Sequence, residues 1–169
     1  MILSIDPASR KMAWVVFDTE TEGIVHGPQV DTRPEDFNNV ELFGAWRGWA
    51  RGWEGSAATT RVIIEMPDHM AGEKSNDRLR GLVQLGGCVG AMVTGFLEIL
   101  PAQMIRVVEP REWKGKESKE VTRQKMKWVF GKRLVETWTH DETDAVAIAL
   151  WYAKKIKADE TIHRGRWIG

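Results

Sequence analysis

Asp6, Glu65, Asp141 and Asp144 are the residues whose types and spacing could do chemistry. Asp6 ends the apolar run Ile2–Ile5 and is followed at once by Pro7, while Glu65 ends a second run, Arg61-Val-Ile-Ile-Glu-Met-Pro. Asp141 and Asp144 lie three apart at the start of a helical pattern, so both project from one face of its first turns. In open α/β sheets the carboxyl edge of the strands is where ligands sit. Carboxylates gathered at such an edge would repel one another and hold their protons unless a divalent cation entered. Mg²⁺ and Mn²⁺ are hard ions that prefer oxygen ligands. Two of them roughly 4 Å apart can activate a water and stabilise the leaving oxygen of a phosphodiester. Each residue also has a plainer explanation. Asp-Pro opens turns, Glu65 could simply close its strand, and the helix macrodipole alone favours acids at Asp141, Glu142 and Asp144. Those explanations would have to coincide on one edge of one sheet, which makes the joint reading the stronger.

The elements that must position these groups follow from the apolar pattern. Ile2–Ile5 and Ala13–Phe17, separated by a polar turn, read as two strands of a hairpin, and Gly23–Val30 as a third strand. Asp31-Thr-Arg-Pro is a turn, with Pro34 placed to open a helix over Glu35 to about Trp53. Trp46, Trp49 and Trp53 share one face of it as a core stripe. Arg61–Glu65 looks like a central parallel strand buried on both faces. The polar stretch 67–77 after it is a loop of the kind that carries function. Arg78–Leu100 is a helix stopped by Pro101, and Gly86, Gly87, Gly90 and Gly95 within it cost roughly 3–4 kcal/mol against alanine. Close approach of another backbone would offset that. The Gly86/Gly90 pair suggests a tight helix–helix contact, internal or across a homodimer. Met104–Val108 is a strand, Ser118 caps a helix to about Phe130, and Thr139–Ile156 is the last helix, opened by a Thr139/Glu142 capping box. The tail 157–169 is polar and loosely ordered, with Trp167 able to dock. The prediction is one α/β domain over residues 1–156, a mixed sheet with helices packed on its faces.

The apolar share (43%) and charged share (28%) are those of a globular chain. Cys88 has no internal partner, the N-terminus lacks a signal-peptide pattern, and the uncharged run Leu82–Leu97 is short and glycine-rich for a membrane span. These features predict a cytoplasmic protein without a membrane. Net charge is zero, but residues 1–70 hold six Lys/Arg against eleven Asp/Glu, and residues 106–133 hold ten against four. The second window, with Arg106, Arg111, Lys114, Lys116, Lys119 and Arg123 among its cations, could grip phosphates or form a solvated helix face.

Ser4-Ile5-Asp6-Pro7 with Ala13-Trp14-Val15-Val16, Ile64-Glu65-Met66-Pro67, and His140-Asp141-Glu142-Thr143-Asp144-Ala145-Val146-Ala147 resemble, in that order, the motifs of RuvC-type Holliday-junction resolvases of the RNase H-like superfamily. The resemblance covers about residues 2–155 and implies an RNase H-like fold with a five-stranded mixed sheet. It assigns Asp6, Glu65, Asp141 and Asp144 as metal ligands, and Lys114 and Lys119, with Lys116 close by, to the scissile phosphate. It places His69 or Met70 at the junction centre and a homodimer interface on helix 78–100. Ala8 stands where the family carries glycine, and Met12-Ala13 where it carries Thr-Gly. His140 is a further candidate ligand, proton carrier or cap. The implied activity is Mg²⁺-dependent (or Mn²⁺-dependent) paired nicking of four-way DNA. Rivals are a related nuclease on flaps, forks or R-loops, an inactive junction-binding module, and an actin-like phosphotransferase.

Overall fold

The computed structural model describes residues 1–53, 61–66 and 76–165, as backbone only at 76–79 and 159–165. β1 (Ile2–Pro7) and β2 (Lys11–Asp18) form an antiparallel hairpin, closed where the Ala8 N–H donates to the Lys11 carbonyl at 2.7 Å. β3 (Gly23–Thr32) pairs antiparallel with β2 and runs past the expected end at Val30. On the other side of β1 lie β4 (Arg61–Glu65) and then β5 (Ile105–Val108), both parallel to their neighbours. The sheet is five-stranded and mixed, in the order β3-β2-β1-β4-β5.

Because side chains alternate across a strand, the sheet feeds two cores. Leu3, Ile5, Met12, Trp14, Val16, Val62 and Ile64 face α1 (Asn39–Arg51) and α2 (Asn76–Leu97). Ile2, Ala13, Val15, Phe17 and Ile63 face α4 (Lys119–Phe130) and α6 (His140–Gly165). Two single-turn helices, α3 (Pro110–Trp113) and α5 (Lys132–Val135), flank α4. Helices therefore cover both faces, as the RNase H-like expectation requires.

Several boundaries differ from the sequence reading. α1 begins after Asn38, not at Pro34, because Asn38 and Glu41 form a reciprocal capping box. Pro34 instead lies in the preceding turn, where its carbonyl accepts from Arg10 Nη1 at 2.6 Å. α6 continues beyond Ile156 to Gly165, so the first part of the expected loose tail is helical, and Lys157 donates to Glu22 of the β2–β3 turn at 2.9 Å. Trp167 lies outside the described residues.

The glycines of α2 also sort differently. A Cβ on Gly87 would lie 2.3 Å from the Phe43 ring, and one on Gly95 would lie 2.4 Å from the Arg47 carbonyl of α1. Gly86 and Gly90 meet nothing within 4 Å. The internal close approach thus belongs to Gly87 and Gly95, and Gly86/Gly90 is left on the outer side. Arg80–Leu97 is long and apolar enough, at mean hydropathy 1.2, to cross a bilayer by length and composition, contrary to the shorter run expected. In the fold, its Cys88, Val89, Met92 and Phe96 are core residues packed with α1 and the sheet.

Candidate active site

β1 places Ile2, Ser4 and Asp6 on the α6 side of the sheet, and β4 places Ile63 and Glu65 there. The β1–β4 register pairs Ile5 with Ile64, so the next residues along, Asp6 and Glu65, end their strands side by side. α6 arrives over this edge with its start fixed by side chain–backbone bonds. The Thr139 N–H donates to Glu142 Oε2 at 2.6 Å, and the Glu142 N–H donates to Thr139 Oγ1 at 3.2 Å. Behind the cap, Ala145, Val146, Ile148 and Ala149 are fully buried against the sheet. That packing leaves Asp144 only 2% exposed and aims it at the strand ends.

Asp6, Glu65 and Asp144 each offer a carboxylate oxygen, and the three lie within 4.8 Å of one another. Burial, together with the negative charges of Glu65, Asp144 and Asp141, pushes the Asp6 carboxyl well above its usual range, against the pull of Lys119. Glu65 is raised to about 7, chiefly by burial and further by Asp144, with Lys114 opposing. Its Oε2 is buried without a hydrogen-bond partner. A compact set of hard oxygen donors, with the Asp6 and Glu65 carboxyls pushed up chiefly by burial and then by neighbouring negative charge, fits Mg²⁺ or Mn²⁺.

Asp141 stands apart from this trio. Its carboxylate faces Lys11 Nζ at 2.6 Å and Lys119 Nζ at 3.7 Å. Burial alone would raise its pKa, but the two ammonium groups win and hold it below the usual carboxylate range. Lys114 Nζ is 3.2 Å from Asp144 Oδ2, largely buried and 4.6 Å from the Trp113 ring centroid. Lys119 is half exposed, 3.8 Å from the same Asp144 oxygen.

The structure therefore brings together Asp6, Glu65, Asp144, Lys114 and Lys119, with Asp141 at the rim. The other expected DNA contacts are more scattered. Lys116 is exposed on the α3–α4 connection, and Arg111 is exposed and pairs with Glu109. Arg123 Nη2 donates to the Val135 carbonyl at 3.2 Å, tying α4 to α5. Much of the basic surplus is paired within the chain: Arg106 with Glu112, Lys125 with Glu117, and Lys127 and Lys132 with Glu136. His140 is exposed at the first position of α6. His69 and Met70 lie outside the described residues.

Two site residues escaped the sequence reading. Trp113 turns its buried indole N–H toward the Glu65 carboxyl and helps to lower its pKa, without reaching close hydrogen-bond geometry. Lys11 opens β2 in the same parity as Ala13, Val15 and Phe17, all of which face α6. Hairpin register was the signal that could have found it.

The structure of Thermus thermophilus RuvC aligns at TM-score 0.70 and 19% identity, over 94% of this chain and 96% of that one. Thermus thermophilus RuvC in complex with a Holliday junction substrate aligns at 0.68 and 18%, over 91% and 94%. The fold is that of RuvC. No protein-family model and no curated protein sequence matches the chain. The RuvC fold is thus recovered through shape at low identity, along nearly the whole chain.

Proposed function

We propose that this chain is a divalent-metal-dependent endonuclease that cuts branched DNA, with the four-way junction as its substrate. The observation that carries the reading is the convergence of Asp6, Glu65 and Asp144, from two strand ends and a helix start, to within 4.8 Å on a RuvC fold. The similar RuvC bound to a Holliday junction supports the choice of substrate.

Asp6, Glu65 and Asp144 would hold Mg²⁺ or Mn²⁺, with Asp141 completing the set. When bound, the cation supplies Lewis-acid stabilisation of charge on the phosphate and lowers the pKa of water. The remaining work belongs to side chains of this chain. Lys114, fixed between Asp144 and Trp113, offers a preorganised positive charge beside the carboxylates, where charge develops on the scissile phosphate. Lys119, half exposed beside the same Asp144 oxygen, would meet the strand backbone at the mouth of the site, and Lys116 and Arg111 would extend the positive rim. In-line attack by water would leave a 5′-phosphate and a 3′-hydroxyl.

A homodimer through α2 suits a substrate of approximate two-fold symmetry. Val83 (68% exposed) and Leu97 (48%) lie on its outer side with Gly90, an apolar stripe that a second copy would cover. The reading places the protein in the cytoplasm with DNA.

The test is a Mg²⁺-dependent nicking assay on an immobile four-way junction, beside a matched fork and an RNA–DNA hybrid. Paired symmetric nicks at the junction are expected, and Asp6→Asn should bind the junction without cutting it. Preferred cutting of the fork or hybrid would redirect the reading to a related nuclease. Junction binding indifferent to Mg²⁺, with no product at any enzyme concentration, would refute the enzyme.

A further inference from the structure

We propose that Lys11 and a divalent cation compete for Asp141, so that a second metal position at this site fills only as the Lys11 ammonium lets go. The inference rests on reading the acidic cluster as a metal centre. Two geometric facts carry it. Asp6, Glu65 and Asp144 already form a compact oxygen set, whereas Asp141, just one helical step from Asp144, lies outside it. The Lys11 ammonium, meanwhile, sits at contact distance from Asp141 Oδ2, 2.6 Å, and Lys119 approaches the other oxygen at 3.7 Å.

A carboxylate gripped on both oxygens has little charge left for a cation, and a nearby ammonium repels a divalent ion directly. The two interactions are mutually exclusive at Oδ2. Lys11 can leave at small cost, because its side chain stands at the start of β2 and is 55% exposed. Side chains of this kind lose little packing on release, and exposed ion pairs are weak. Lys114 differs, being 15% exposed and held between Asp144 and Trp113. The site therefore has one ready metal position and one guarded by a releasable lysine. A phosphodiester strand laid along this rim would draw the freed ammonium outward, so that binding of DNA and of the second cation would favour each other.

The experiment is a Mn²⁺ titration of the full chain, followed by calorimetry and by loss of the free-ion EPR signal. Wild type should bind one Mn²⁺ tightly and a second weakly per protomer. Lys11→Met should tighten the weak event about tenfold while leaving the tight event within about twofold, as expected for removing a unit charge near a divalent ion. Lys11→Arg should behave as wild type. The competition is refuted if Lys11→Met leaves the weak event unchanged, if both events tighten equally, or if Lys11→Arg matches Lys11→Met. A single Mn²⁺ in both wild type and Lys11→Met also refutes it. Asp6→Asn reports separately: if it keeps both Mn²⁺ at wild-type affinity, the metal-centre reading itself fails, whatever Lys11 does.

Discussion

Replacing Glu65 by glutamine should make the metal-free protein more stable at neutral pH and less able to profit from Mg²⁺. Glu65 is buried with its Oε2 unpaired, and its pKa rises from 4.5 to about 7. The sign follows from proton binding. At a pH well below 4.5 both folded and unfolded chains hold this proton, and its titration contributes nothing to stability. Between 4.5 and about 7 the unfolded chain gives up the proton while the folded chain keeps it, so stability falls as pH rises. Above that window the cost reaches about 3 kcal/mol, at 1.36 kcal/mol for each tenfold change in proton affinity. Glutamine does not titrate. The advantage of Glu65→Gln over wild type should therefore be small at about pH 4.5 and grow to about 3 kcal/mol at about pH 8. For a chain of 169 residues that corresponds to a Tm difference of roughly 6–12 °C. The assay is urea and thermal denaturation in chelator at both pH values and fixed protein concentration. Adding Mg²⁺ should then reverse the order. Wild type gains by mass action about 4.1 kcal/mol at a thousandfold excess over Kd, more than its deficit, whereas the variant has lost a ligand. A pH-independent difference between the two proteins, or equal stabilisation of both by Mg²⁺, would refute the reasoning.

Lys114→Ala should reduce junction cutting by about a hundredfold with junction affinity little changed, measured as single-turnover rate beside gel-shift Kd, because it removes a fixed charge rather than a strand contact. Gly95→Ala should destabilise by about 1–3 kcal/mol, since its methyl would meet the Arg47 carbonyl at 2.4 Å. Gly48→Ala, with nothing within 4 Å, should instead stabilise by up to about 1 kcal/mol, both read by urea denaturation. Gly90→Arg should turn a dimer into a monomer in sedimentation velocity while preserving far-UV helicity, because the added side chain enters space open within the protomer but covered across the proposed interface.

The sheet and the meeting of Asp6, Glu65 and Asp144 at its edge were legible because both are written in local pattern. The expected fourth carboxylate, Asp141, stands instead outside the trio against Lys11. A period of two fixes which strand residues share a face, so Asp6 and Glu65 could be placed on one edge before any coordinates. The phase of α2 was not legible in the same way. Gly86, Gly87, Gly90 and Gly95 are equivalent as glycines, and only the position of Phe43 and Arg47 on α1 decides that Gly87 and Gly95 take the close contact. The start of α1 was expected at Pro34 because proline suits a helix's first turn, whereas the reciprocal Asn38–Glu41 bonds open it at Asn39. The end of α6 misled because a polar segment carries no apolar period to mark it, yet the helix continues to Gly165. Lys11 was overlooked because a lysine next to a polar turn looks like solvent-exposed punctuation, whereas it is the first residue of β2. Its meaning depends on a helix more than a hundred residues later in sequence.

The division of the core explains how such a costly site is tolerated. On the α6 side, Ser4 Oγ is buried without a hydrogen-bond partner. Glu65 Oε2 and the Trp113 indole N–H that faces its carboxyl fall short of close hydrogen-bond geometry, beside carboxylates that repel one another. Unsatisfied groups of this kind cost about 1–3 kcal/mol each. On the opposite side, Leu3, Ile5, Trp46, Met92 and Phe96 are fully buried, and Trp14, Trp49, Trp53 and Phe96 form a connected aromatic cluster with centroids 4.9–6.4 Å apart. Aromatic pairs at such separations add about 0.5–1.5 kcal/mol each beyond the area they bury. The sheet shares Asp6's strand between the two sides: Ile5 anchors it in the dry core while its neighbour Asp6 faces the charged one. The strand end is thus held rigid by packing that the charged groups do not touch. Truncations in the aromatic core would loosen the strand from behind and lower stability and metal affinity together. Neutral replacements at Asp6 or Glu65 would raise the first while lowering the second. That opposite sign is what separates a residue that builds this fold from one that uses it.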